Sequence, residues 1–186
     1  MLRTLPQTRA KSDFVRLAGI ALFTILTVIS AKISIETGNP EVPFTMQVLV
    51  VLLSGMVLGA RDGAGSQLAY ILLIAANAPV DTRGIGAAAL FGPTGGFLIG
   101  FVIGAFVAGW LVERAGQRFW QRWLAGVAGI LVIYLFGASH LLLWTGMDLR
   151  TAYQVGVQPF IALDLLKAFI AAGLVETARS WMLPSK

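Results

Sequence analysis

Cysteine is absent from this chain of 186 residues, which excludes a disulfide framework and any thiolate metal site. Charge is scarce: Asp, Glu, Lys and Arg make up 12% of the residues, about half the share usual in a soluble domain. There is no His-Glu-x-x-His zinc pattern, no glycine loop of the kind that cradles phosphates and no ATP-binding motif, so any energy drawn from ATP must come through another chain. The single histidine, His140, directly follows Ser139. Adjacent residues on a helix point about 100° apart and cannot pair as nucleophile and base. These absences favour a protein that performs no covalent chemistry and needs no cofactor.

What the chain does have is apolar length. Residues 42 to 60, 63 to 80, 84 to 112 and 123 to 147 contain no formal charge, and 17 to 31 is equally clean. A helix needs roughly 20 mostly apolar residues to cross the hydrocarbon core, and a soluble core helix is rarely apolar on every face. The pattern predicts an all-α, polytopic membrane protein with six spans: 14–35, 45–60, 63–80, 93–112, 123–144 and 156–181. Residues 1–186 read as a single membrane domain behind a short tail, 1–13. Turn residues bound the second and sixth spans: Gly38, Asn39, Pro40 and Pro43 before one, Gly146, Met147 and Asp148 before the other. Arg3, Arg9, Lys11 and Arg16 ahead of an apolar run also suit a signal peptide. The run continues past Lys32 to Ile35 with no clean small-x-small cleavage site, which favours a retained first helix.

The net charge of +5 is explained by topology rather than by nucleic acid. With the N-terminus inside, ten of the fourteen Lys and Arg residues fall on the cytoplasmic side: Arg3, Arg9, Lys11, Arg16, Arg61, Arg114, Arg118, Arg122, Arg179 and Lys186. Only Arg83 and Arg150 lie in outer loops, and Lys32 and Lys167 fall inside spans. The bias places both termini in the cytoplasm. Trp110, Trp120, Trp123, Trp144, Tyr153 and Trp181 stand near span ends, as interfacial anchors do. Gly96, Gly100 and Gly104 recur every four residues and lay a smooth stripe along one helix face, where a neighbouring backbone can approach. Gly55, Gly59 and Gly63 form a similar series that runs into the Arg61–Asp62 turn and marks a tight helical hairpin.

Asp164 and Lys167 are the most informative pair. Three residues apart, they share a helix face, and each lies deep enough in the sixth span to strain snorkelling. A charge at mid-membrane costs roughly 2.5 to 3.5 kcal/mol on insertion scales, so the pair needs a reason. One is a structural ion pair. The other is a polar pocket reached from the outer face two to three turns after Gly156, fitting a small molecule that offers N–H donors and a carbonyl, such as a cyclic urea or amide. The Phe, Leu and Ile residues around the pair imply that the rest of the ligand is apolar. Thr45 and Gln47 offer donors and acceptors near the outer side. Asn77 serves either as a helix-end residue before Pro79 or as a ligand contact, and Arg83 either as a solvated loop residue or as partner to a substrate carboxylate. Lys32 reads as a snorkelling anchor.

Pro43-Phe44-Thr45-Met46-Gln47, Leu58-Gly59-Ala60-Arg61, the segment from Gly92-Pro93-Thr94-Gly95-Gly96-Phe97 to Phe101, and Pro159-Phe160 with Asp164 and Lys167 resemble the BioY family. That family comprises the biotin-specific S components of energy-coupling factor (ECF) transporters. The resemblance runs from about Leu17 to Val175. It implies a six-helix protein of the bacterial cytoplasmic membrane that captures biotin from the outer side. Its implied partners are a transmembrane coupling protein and a pair of ABC-type ATPases, with no nucleic acid. It implies that Asp164 and Lys167 contact the ureido ring, and that Gln47, Thr94, Gly95, Phe97 and Phe160 belong to the binding surface. S components commonly carry an Ala-x-x-x-Ala docking face on the first helix; here Ala18 and Ala21 are the small residues assigned to it, and Ile25 stands four residues after Ala21. The loop after Val80 reads Asp-Thr-Arg-Gly, where the family is usually apolar and glycine-rich. Three other readings predict different behaviour: another vitamin as ligand, an intramembrane enzyme using Asp164 as acid or base, and an assembly subunit with no ligand.

Overall fold

The computed structural model describes residues 9–35, 42–115 and 118–182. The turn expected at Gly38, Asn39 and Pro40, the residues Arg3 and Lys186, and the side chains of Arg9, Lys11, Arg179 and Trp181 lie outside the described residues. The protein is all-α apart from one two-residue ladder. Helices α1 (Arg9–Lys32), α2 (Gln47–Leu58), α3 (Ala60–Ala75), α5 (Gly95–Ala115), α6 (Phe119–Thr145) and α8 (Ile161–Met182) form the bundle. Two short helices, α4 (Ala88–Phe91) and α7 (Leu149–Gly156), sit in its connections.

Among the described residues, three stretches are long and apolar enough to cross a membrane: Asp13–Lys32, Gly95–Arg114 and Phe119–Thr145. Large apolar side chains such as Phe14, Leu22, Ile25, Leu131, Leu135 and Leu143 are exposed on the outside of the bundle. In water such a surface would be an aggregation liability; in lipid it is the ordinary outer coat. This is a membrane protein.

The helix bounds depart from the sequence expectation in several places, and α3 runs Ala60–Ala75 where 63–80 was expected. Thr45, expected inside the second span, lies in a strand: β2 (Phe44–Thr45) pairs antiparallel with β1 (Ser34–Ile35), Ser34 opposite Thr45. The first helix therefore stops at Lys32 and the second begins at Gln47. Residues 156–181 do not form one helix, because Gly156 ends α7 and α8 begins only at Ile161. Pro159 sits in that break, where it can neither donate a backbone hydrogen bond nor leave Gln158 free to be helical.

The close contacts sit on glycine. A Cβ on Gly63 would press on the backbone of Gly55, so α2 and α3 touch main chain to main chain. Gly59, at the corner between them, adopts φ 88° and ψ 175°, a conformation essentially restricted to glycine. From α5, Glu113 Oε1 accepts the Ala60 N–H at 2.9 Å and caps the start of α3. Gly96, Gly100 and Gly104 lie against α6, where added Cβ atoms would strike His140, Ile133 and the Gly129 carbonyl respectively.

Polar side chains hold α1 to the α2–α3 hairpin. The Gln67 amide donates to Thr27 Oγ1 at 3.2 Å and to Ser54 Oγ at 3.1 Å, and Thr24 Oγ1 donates to the Ser66 carbonyl at 3.0 Å. Such bonds substitute for the hydrophobic attraction that lipid does not provide. At the same end of the bundle as Glu113, Arg16 makes a two-pronged contact with Asp62 at 2.8 and 2.9 Å. There too Arg122, counted in the sequence as a loop cation, is buried and paired with Glu176 of α8.

Candidate functional site

At the opposite end the bundle forms an open cavity with about 830 Å³ of space, counting the solvent at its mouth. Its walls come from the starts of α2, α5 and α8, the middle of α6, and the segments 42–45, 81–85 and 92–94. Most of the lining is apolar, with Phe97, Leu98, Phe101, Ile133 and Phe160 as its larger members.

The polar end of the cavity is built on the first turns of α8. Asp164 and Lys167 are 2% and 4% exposed. Because α8 starts at Ile161, Asp164 lies in its first turn rather than two to three turns along, and the carboxylate gains from the positive end of the helix dipole. Lys167 Nζ donates to Asp164 Oδ1 at 2.7 Å and to the Thr45 carbonyl at 2.7 Å. The same ammonium stands 3.9 Å from the centroid of the Phe44 ring, a cation–π distance. Tyr134 Oη donates to Asp164 Oδ2 at 2.7 Å. Each carboxylate oxygen thus has one partner within the protein and a lone pair left to accept an N–H from a ligand.

A second polar group lines the cavity. Gln47 Nε2 donates to Tyr70 Oη at 3.1 Å, and its Oε1 accepts from Thr45 Oγ1 and Thr82 Oγ1, both at 3.3 Å. Tyr70 Oη in turn donates to the Val80 carbonyl at 3.4 Å. His140 Nε2 donates to the Gly92 carbonyl at 3.0 Å and fixes the 92–94 segment from α6.

The cavity brings together Thr45, Gln47, Arg83, Thr94, Phe97, Phe160, Asp164 and Lys167. Asn77 and Gly95 are not in its lining. Asn77 holds φ 64° at the end of α3, and its Oδ1 accepts the Ala87 N–H at 3.3 Å. Gly95 faces the Leu90 carbonyl and His140. Ala18 and Ala21 are exposed on the outer face of α1, away from the cavity. Tyr134, Tyr70, Asp81 and Thr82 were not singled out in the sequence. Each is an ordinary residue in an apolar or turn context, and only the fold brings it to the site. Lys32, read in the sequence as a snorkelling anchor, is exposed and also donates to the Pro79 and Asp81 carbonyls.

Among the described residues no cluster of His, Asp and Glu could hold a metal. The fold and site define a helical membrane protein with an apolar small-molecule cavity closed at its inner end by a hydrogen-bonded acid–base pair. The sequence profile of the BioY family matches residues 6–183, and the chain belongs to that family. It is 44% identical over 153 residues to "Biotin transporter BioY" of Thermotoga maritima, covering 81% of this chain and 88% of that one. It is 40% identical over 162 residues to the protein of the same name from Rhizobium etli, covering 82% and 86%. Among solved structures it resembles the "S-component for biotin from an ECF-type ABC transporter", with a TM-score of 0.85 and 25% identity over 94% of this chain and 95% of that one. These relatives are transporters and not enzymes.

Proposed function

We propose that the chain is the substrate-binding component of an importer and captures biotin in this cavity. The observation that carries the reading is the buried Asp164–Lys167 pair, bonded to Tyr134, at the polar end of a mostly apolar pocket. Biotin offers two ureido N–H groups to the free lone pairs of Asp164, an apolar bicycle and chain to Phe97, Phe101 and Phe160, and a carboxylate to Arg83 at the mouth. The names of the relatives support the same ligand.

In this reading α1, α2, α3, α5, α6 and α8 are six spans of one membrane domain in a bacterial cytoplasmic membrane, with both termini inside and the cavity facing out. The basic residues Arg16, Arg61, Arg114 and Arg118 then meet the cytoplasm, as the positive-inside rule asks. Helix α2, at 12 residues, spans about 18 Å and completes its crossing with the 42–46 segment. Uptake draws on a coupling protein and an ABC-type ATPase pair, with the α1 face at Ala18 and Ala21 available for docking.

Calorimetric titration of biotin into the detergent-solubilised protein, beside Asp164→Asn and a panel of other vitamins, tests the function. Saturable binding lost in the variant is expected; a folded protein that ignores biotin overturns the assignment. Because the chain has no cysteine, single cysteines placed near Arg61 and Arg83 report sidedness without background. Labelling of the Arg61 site from outside would overturn the orientation.

A further inference from the structure

Lys32 ends α1 outside the cavity lining, yet its ammonium is committed to the segment that forms the cavity mouth. It donates to the Pro79 carbonyl at 3.0 Å and to the Asp81 carbonyl at 2.5 Å. The Asp81 carboxylate, itself buried, accepts the N–H groups of Arg83, Ile85 and Gly86 at 3.0, 3.2 and 2.8 Å. Those three bonds fold residues 81–86 on themselves and give the segment its shape. They do not fix where it sits.

Position comes from outside the segment. Tyr70 reaches the Val80 carbonyl at 3.4 Å, Gln47 accepts from Thr82 at 3.3 Å, and Asn77 accepts from Ala87 at 3.3 Å, all long bonds between neutral groups. To these Lys32 adds two short, charge-assisted contacts. Asp81, Thr82, Arg83 and Ile85 all line the cavity, so whatever holds this segment also sets the mouth. We propose that Lys32 is a positioning residue for ligand retention, tethering residues 79–86 across the cavity mouth from the end of α1. This rests on the reading of the cavity as a binding site.

The separation of roles is sharp. The Asp164 group recognises polar atoms at the inner end, whereas Lys32 touches no part of that group and acts only through the segment it anchors. Its removal therefore changes the rate of escape more than the rate of entry, the usual division when contacts around a bound ligand are lost.

The test compares the parent protein with Lys32→Met and Lys32→Arg by two readouts: biotin dissociation in stopped flow, and amide hydrogen exchange over 79–86 without ligand. Thermal unfolding in detergent checks that each variant is folded. Lys32→Met is expected to release biotin about fivefold to tenfold faster and to exchange faster over 79–86, with association changed less. Lys32→Arg, which can still donate to two carbonyls, is expected to stay within about twofold of the parent on both. Unchanged dissociation with loosened exchange, or faster dissociation with unchanged exchange, overturns the proposal. If the parent itself does not bind biotin, the ligand assignment fails separately, and exchange equal in parent and Lys32→Met still overturns the tether.

Discussion

Tyr134 of α6 donates to Asp164 Oδ2 at 2.7 Å while Lys167 holds the other oxygen of the same carboxylate. The phenol thereby fixes the plane of the acid and decides which lone pairs remain for a ligand. Tyr134→Phe keeps the ring and its packing but frees the carboxylate to rotate. Biotin affinity is expected to fall about tenfold, measured by calorimetry, the scale of one hydrogen bond to a charged group. Affinity equal to the parent would show that Tyr134 has no part in orienting Asp164.

The acid and base should be strongly non-additive in stability. Lys167→Met leaves a carboxylate that is 2% exposed without its counter-charge, and should cost about 3 kcal/mol. Adding Asp164→Asn removes the stranded charge, and the double variant should recover most of that loss while still failing to bind biotin. Thermal unfolding in detergent measures the first effect and calorimetry the second. If the double variant melts as low as Lys167→Met, the pair is not what sets the cost.

Gly59 offers a test of the α2–α3 corner far from the cavity. At φ 88° and ψ 175° an alanine is strained, and its Cβ would also press on Glu113 where that side chain caps Ala60. Gly59→Ala should destabilise by about 1 to 3 kcal/mol. Because the corner lies at the other end of the bundle, biotin affinity of the folded fraction should be unchanged.

The parts of this fold legible in the sequence are those written in local chemistry. Long charge-free runs marked α1, α5 and α6, and the oddity of two charges in an apolar run marked Asp164 and Lys167. The four-residue period of Gly96, Gly100 and Gly104 was visible too, although not that α6 is the helix it meets. What escaped is written in distance along the chain. Thr45 reads as helical until Ser34 pairs with it, and the ladder forms only because the two segments return to one another. Tyr134 is one hydroxyl in an apolar helix, 30 residues from the carboxylate it serves. Lys32 reads as a membrane anchor because its acceptors are backbone carbonyls 47 and 49 residues away, which no side-chain pattern announces. The start of α8 was misplaced for a different reason. Gly156 and Pro159 carried the signal, but the apolar residues after them outweighed it.

The hydroxyls along α1 bear on how the protein is assembled. Thr24, Thr27 and Ser30 each donate to a carbonyl of their own helix, those of Ile20, Phe23 and Thr27. A lone α1 can therefore hold these three hydroxyl hydrogens within itself, with no partner helix present. When α1 meets the α2–α3 hairpin, Gln67 donates to the Thr27 oxygen without displacing its bond to Phe23, whereas the Ser66 carbonyl must share the single Thr24 hydrogen with Ile20. The polar bonds that join α1 to the hairpin are thus added to ones the helix already makes within itself.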